Sequence, residues 1–308
     1  MKILIELPTW LGDAVMTTPA IENIVNYYDG AKVTLIGSDI SIEVLKNHPN
    51  VQETYILKKN ISFLYKLANN LGEFDIFFSF RSSFRTKFLK LFIHSKNKYQ
   101  LKRDKYSNCH QVEKYNRFIN DSLNTNFSIG KLNVNRDVAL TVKKSNLIAG
   151  INPGASYGNS KRWYPKEFAK VAAELSSKYE IVIFGGPNEK SIAADIEKSL
   201  IENGVSNYQN LAGNTSISQL INYISNLDLF ITGDSGPMHL AASFGVPTVA
   251  IFGPTRDKET SQWMNDKSIV IKKNLDCQPC MKRTCPLKHH NCMKLIKAED
   301  VLEAIKSF

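Results

Sequence analysis

The sequence predicts an α/β protein of two doubly wound, Rossmann-like lobes, each built on a parallel sheet. Three observations carry that prediction. The chain has 308 residues, more than one domain usually holds. Short apolar runs alternate with amphipathic stretches, as strands do when crossover helices join them. The alternation begins at Lys2 and restarts near residue 147, after a polar and basic segment, Asn133 to Ser145, that reads as a linker. Residues 1–140 are therefore expected to form the first lobe and 146–297 the second.

In the first lobe, Lys2 to Leu7 reads as a strand. Asp13 to Tyr28 reads as one helix, because Val15, Ile21, Ile24 and Val25 recur at helical spacing. Lys32 to Ile36 is a strand, Gly37-Ser38-Asp39 a turn, Ile40 to Lys46 a short helix and Val51 to Ile56 a third strand. Asp75 to Phe80 is a strand followed by a basic helix, Ser82 to Phe92, and His110 to Asn124 is a further helix. In the second lobe, Leu147 to Ile151 is a strand, Lys166 to Lys178 a helix and Glu180 to Phe184 a strand. Gly185-Gly186-Pro187 breaks the chain before a helix from Glu189 to Leu200. Strands Asp228 to Thr232 and Thr248 to Phe252 flank a helix from Met238 to Phe244. Residues 298–308 hold an amphipathic helix with Val301, Leu302 and Ile305 on one side, free to pack back across the lobes.

Composition narrows the class. Hydrophobic residues make up 43% and charged residues 22%, values of a soluble globular protein able to bury two cores without disulfides. Glu6 interrupts the apolar run of the N-terminus, and Asp13 stands where a signal peptide would still be apolar. No apolar run approaches the ~20 residues of a membrane helix. A cytoplasmic location is expected. The net charge is +10, and fourteen basic but only four acidic residues lie between Lys58 and Arg117. That bias suits a solvated face or an anionic partner such as phosphate-rich lipid, nucleic acid or polyanionic sugar.

In open parallel sheets ligands bind beyond the carboxyl ends of the strands. Five loops of unusual composition fall at such ends: Pro8 to Asp13, Asn152 to Trp163, Gly185 to Glu189, Gly233 to His239 and Gly253 to Thr255. If the lobes face each other, these loops line one cleft. In the first, Gly12 permits close backbone approach. Asp13 suits either a helix N-cap or a base for a hydroxyl proton. Trp10 suits either the core or a flat surface for a sugar ring. The second loop, Asn152-Pro153-Gly154-Ala155-Ser156, leaves N–H groups for phosphate oxygens, and Lys161 can reach the same phosphates. The fourth, Gly233-Asp234-Ser235-Gly236-Pro237-Met238-His239, opens a helix whose N-terminus favours a diphosphate. Neither a Walker A loop nor a G-x-G-x-x-G fingerprint is present, which argues against a dinucleotide oxidoreductase.

Gly12-Asp13 after the first strand, Gly-Asp-Ser-Gly-Pro-Met-His from Gly233, and Phe252-Gly253-Pro254-Thr255, in that order, resemble the ADP-heptose:lipopolysaccharide heptosyltransferase family. The resemblance runs from Ile3 to about Met293. The wording Leu7-Pro8-Thr9-Trp10-Leu11-Gly12-Asp13-Ala14-Val15-Met16 is most similar to the branch that adds the second heptose of the inner core, with the branch that adds the first as the alternative. The family implies a GT-B fold, two Rossmann-like lobes facing a central cleft. It implies an inverting transferase that needs no metal or other cofactor, an ADP-heptose donor and an anionic Kdo-lipid A core acceptor. It also implies a monomer in peripheral contact with the cytoplasmic face of the inner membrane.

Carried over residue by residue, the catalytic groups are Asp13 as base and Lys161 on the donor phosphates. Donor binding falls to Gly12, Gly154, Ala155, Ser156, Lys161, Asp234, Ser235, Gly236 and His239. Glu189 is expected at the ribose or adenine and Thr215 near the base. Acceptor binding is expected from Trp10, Arg81, Arg85 and Lys87. Cys277, Cys280, Cys285 and Cys292, with His289 and His290 among them, have the look of a structural zinc site, against buried thiols or a disulfide. The distant alternative is a basic nucleic-acid-binding protein, but no helix-turn-helix, RRM or KH signature accompanies the charge, and no nucleic acid is expected.

Overall fold

A computed structural model of the chain describes residues 1–58, 60–137, 139 and 146–308. The chain divides into two compact units, Met1–Asp137 and Val138–Phe308. Residues 138 and 140–145 of the expected linker lie outside the described residues.

The first unit runs β1 (Lys2–Glu6), α1 (Leu11–Met16), α2 (Thr18–Tyr27), β2 (Lys32–Gly37), α3 (Asp39–Leu45), β3 (Val51–Ile56), α4 (Ile61–Asn70), β4 (Glu73–Ser79), α5 (Phe84–Phe92), β5 (His94–Gln100) and α6 (Gln111–Leu123). Its strands are all parallel, in the order β3-β2-β1-β4-β5. The order reverses between β1 and β4, so the loops after these two strands open onto one crevice. Ile3, Leu4, Ile5, Phe77 and Phe78 are buried because helices cover both faces of the central strands.

The second unit runs β6 (Ile148–Asn152), α7 (Pro165–Leu175), β7 (Glu180–Ile183), α8 (Lys190–Glu202), β8 (Tyr208–Asn210), α9 (Ile217–Ile224), β9 (Leu229–Gly233), α10 (Gly236–Ser243), β10 (Thr248–Ile251), α11 (Asp257–Thr260), β11 (Ser268–Ile271), α12 (Asn291–Lys294) and α13 (Ala298–Ile305). Its parallel order is β11-β10-β9-β6-β7-β8, with the reversal between β6 and β9. The loops after β6 and β9 therefore meet.

Three expectations change. The helix read from Asp13 to Tyr28 is two helices. Pro19 has no N–H to give the carbonyl of Val15, and the Thr18 hydroxyl donates to that carbonyl instead, at 2.8 Å. Thr17 likewise donates to Ala14 at 2.6 Å, so the hydroxyls close the end of α1. Helices α4 and α9 and strands β5, β8 and β11 were not legible as elements. The third change concerns the C-terminal helix. Its Val301 is fully buried in the second unit's own core, and α13 packs on α7, β10 and β11, so its apolar face is used there.

Candidate active site

The crevice of the first unit holds the loop after β1. Leu7 donates its N–H to Ile36 O at 2.9 Å, and Ser38 Oγ donates to Thr9 O at 2.8 Å, so β2 and its turn fix the loop. Trp10 occupies the N-cap position of α1 with extended backbone and is 56% exposed. It is thus no core residue. Asp13 is the third residue of α1, and no side chain caps that helix, so Asp13 does not serve as N-cap. Tyr115 Oη donates to Asp13 Oδ1 at 3.3 Å.

Tyr115 is itself well fixed. His110 Nδ1 accepts the Val112 N–H at 3.2 Å, Glu113 accepts the His110 N–H at 3.1 Å, and Asn124 ends α6 in the left-handed region. The Tyr115 ring stands edge-on to Phe80 at 5.4 Å.

The same crevice contains a buried carboxylate that the sequence did not single out. Glu6, at the end of β1, accepts from Ser79 Oγ at 2.7 Å and Thr86 Oγ1 at 3.2 Å, with Arg81 at 3.7 Å. Burial pushes its carboxyl above the usual range, against the pull of Ser79, Arg81, Thr86 and Arg85. Arg81 is therefore positioned by Glu6. The Arg85 guanidinium donates to the carbonyl of Lys58, and Lys87 is exposed on α5. The signal in the sequence was a lone carboxylate ending an otherwise apolar strand.

In the second unit the loops after β6 and β9 meet at Lys161. Its ammonium pairs with Asp234 Oδ2 at 2.5 Å and donates to Asp234 O at 3.3 Å, and it lies 4.8 Å from the centre of the Tyr157 ring. Thr255 Oγ1, from the loop after β10, donates to Asp234 Oδ2 at 2.6 Å. The Asp234 carboxylate, expected at the donor diphosphate, is here taken up by Lys161 and Thr255. Ser235 is the N-cap of α10, and Asn152 Nδ2 donates to its Oγ at 3.0 Å, tying β6 to the helix start. Gly236 begins the helix, Pro237 follows it and His239 is buried. Ala155 and Gly154 are buried, and Ser156 is exposed.

Glu189 also has a local task. Its carboxylate accepts the Gly186 N–H at 2.7 Å and lies against Gly154, where an added Cβ would overlap it. Gly213 N donates to Gly185 O at 2.8 Å, which brings the half-buried Thr215 near this turn. Gly154→Ala should therefore displace Glu189, free the Gly186 N–H and cost about 1–3 kcal/mol. Urea unfolding reads the cost, and an unchanged midpoint would contradict the fit.

The cysteine segment braces Lys161 from behind. Ser160 N donates to Arg283 O at 3.2 Å, Ser160 Oγ to Lys282 O at 2.5 Å and Tyr157 Oη to Met281 O at 2.7 Å. His290 Nε2 is 2.8 Å from Ser160 O, and its Nδ1 is 3.2 Å from Tyr164 Oη. Trp163, almost fully buried, donates to Ile296 O at 3.0 Å. Cys277, Cys280, Cys285 and Cys292 line one cavity of about 20 Å³ with His289 and His290. All are free thiols, and no three side chains among the described residues are arranged to hold a metal ion. The donor types would suit zinc, but their arrangement does not. Burial, with the other three cysteines adding to it, pushes the Cys292 thiol up to about 11.

The structure thus gathers Lys161, Asp234, Ser235 and Gly236 at one switch point and Trp10, Gly12, Asp13 and Arg81 at another. Sequence reasoning missed Glu6, Tyr115, the bond from Thr255 to Asp234 and the bracing role of His290.

The model of "Glycosyltransferase family 9 (heptosyltransferase)" matches residues 76–291. Lipooligosaccharide heptosyltransferase 2 of Campylobacter jejuni is 42% identical, over 100% of this chain and 98% of its own. Lipopolysaccharide heptosyltransferase 1 of Campylobacter coli is 26% identical over 99% of this chain and 98% of its own. The solved structure of E. coli ADP-heptose lps heptosyltransferase II superposes with a TM-score of 0.83 at 22% identity, covering 100% of this chain and 98% of that one.

Proposed function

This chain belongs to glycosyltransferase family 9, the heptosyltransferases, and has their GT-B fold; on that premise we propose that it transfers a heptose from ADP-heptose to the first heptose of a lipopolysaccharide or lipooligosaccharide inner core. The observation that carries the reading is Lys161, paired with Asp234 at the switch point of the second sheet, on a loop that Lys282 and His290 hold through Ser160. The drop from 42% identity with a heptosyltransferase 2 to 26% with a heptosyltransferase 1 favours the second heptose over the first.

The reaction is a single displacement. The acceptor hydroxyl oxygen attacks the anomeric carbon as its bond to the ADP oxygen breaks, with inversion. Asp13 takes the hydroxyl proton, and Tyr115 steadies the carboxylate that does so. Negative charge builds on the leaving diphosphate and is met by Lys161 and the N–H groups around Ser235 and Gly236. The scheme draws on no metal ion or cofactor. Gly154, Ala155 and Ser156 line the approach to the phosphates, Glu189 and Thr215 the nucleoside end, and His239 backs the helix start. Trp10, Arg81, Arg85 and Lys87 take the anionic acceptor. The enzyme works as a monomer at the cytoplasmic face of the inner membrane.

Thermal unfolding with ADP, NAD or duplex DNA separates this reading from its rivals. ADP should raise the midpoint and the other two should not. No shift with ADP and a clear one with DNA would overturn the proposal.

A further inference from the structure

Helices α4 and α5 pack together on the first unit, and both present apolar side chains to solvent. Phe84 is 83% exposed and Leu91 73%, while Ile61 and Tyr65 on α4 are also exposed. On α5, Phe84, Phe88 and Leu91 recur at helical spacing and form one stripe, while Thr86 and Leu89 face the core. Ring contacts join the two helices. Tyr65 lies 5.1 Å from Phe92, and Phe92 lies 4.8 Å from Phe88. The result is one continuous apolar patch of a kind that soluble monomers seldom expose.

The charge on the two helices is of one sign. Neither helix contains an acidic residue, whereas α4 carries Lys66 and α5 carries Arg85, Lys87 and Lys90. Lys58, just before α4, lies 5.4 Å from the centre of the Phe63 ring. Among the described residues no helix is long and apolar enough to cross a membrane, so the pattern is that of a helix lying along an interface. The apolar stripe would enter the acyl boundary while the lysine stems carry their ammonium groups to the headgroups. A protein partner fits less well, since it would need an apolar groove walled by acidic groups on both flanks.

We propose that the α4–α5 face of the first unit docks on an anionic lipid bilayer, seated by Phe84, Phe88 and Leu91 and held by the surrounding cations. Docking would keep the enzyme in the plane of a lipid-borne acceptor. That benefit rests on the function proposed above, but the docking itself does not.

The test uses vesicles that carry neither donor nor acceptor. Full-length protein is sedimented with vesicles of phosphatidylcholine alone and of phosphatidylcholine mixed with phosphatidylglycerol. It should bind the mixed vesicles, be released by salt and leave the neutral ones unbound. The double variant Phe84→Ser/Leu91→Ser should bind at least about tenfold more weakly, with its circular dichroism and unfolding midpoint unchanged. Lys66→Glu/Lys90→Glu should also lose binding. Equal binding to neutral and anionic vesicles, no binding to either, or a serine variant that binds like wild type would each overturn the proposal. So would a wild-type dimer that the serine variant abolishes while vesicle binding persists, because the patch would then be a self-association face. Failure of the heptose-transfer reading would appear as absent ADP binding, a separate result.

Discussion

Asp13→Asn should lower kcat for heptose transfer by about 10²–10⁴-fold, the usual contribution of a positioned base, with little change in the KM for ADP-heptose. The substitution keeps the shape of the side chain and an oxygen for Tyr115 Oη, now 3.3 Å from Oδ1. It removes the negative charge and with it the basicity. Stability should change little, because α1 has Trp10 at its N-cap and does not rely on Asp13 as its cap. A general loss of folding would therefore not explain the loss of rate. Steady-state kinetics with unfolding on the same preparation checks both halves. Full activity in the variant would remove Asp13 from the mechanism.

Lys161→Met should act twice. Loss of the cation facing the departing diphosphate should lower kcat by about 10²–10³-fold, the scale seen when a single preorganised group opposing transition-state charge is removed. It also leaves the Asp234 carboxylate, only 6% exposed, with Thr255 but without its counter-charge. Breaking a buried pair from one side costs about 3–5 kcal/mol. The two effects separate in the double variant Lys161→Met/Asp234→Asn, which should recover stability but not rate. If the double variant were as unstable as Lys161→Met, the ion pair would not be the cause of the loss. If Lys161→Met kept its rate, the leaving-group role would fail.

The central strands were legible because burial on both faces leaves runs such as Lys2 to Leu7 and Thr248 to Phe252 with almost no polar interruption. Of the four edge strands, β3 was and β5, β8 and β11 were not. β5 reads His-Ser-Lys-Asn-Lys-Tyr-Gln and β8 Tyr-Gln-Asn, because an edge strand has one neighbour and much less to bury. The break between α1 and α2 was written in Thr17-Thr18-Pro19, but the spacing of apolar residues across it concealed it. α9 carries a capping signal in its sequence, Ser216 with Gln219 three residues on, but its eight residues leave little room for a period to show.

The site was legible where its chemistry lies within one loop. Gly12-Asp13 and Gly233 to His239 each join a strand to a helix, and their local residue types already point to ligand contact. Partners brought in by the sheet were not legible. Tyr115 lies 102 residues from Asp13, and Thr255 lies 21 from Asp234. The strand order decides that they meet, and no spacing reports it. The cysteine spacing left zinc, buried thiols and a disulfide open, and the structure holds free thiols. The segment's visible work is mechanical, with Met281, Lys282, Arg283 and His290 gripping the loop that carries Lys161. The Asp234 carboxylate meets Lys161 and Thr255, a pairing that its motif does not report.

The most direct test of heptose transfer is mass spectrometry of the acceptor after incubation with the protein and ADP-heptose. An inner-core acceptor carrying one heptose should gain the mass of a second, with one ADP released for each, and an acceptor without heptose should remain unchanged. Consumption of ADP-heptose without any gain in acceptor mass, or a gain only on the heptose-free acceptor, would contradict the account.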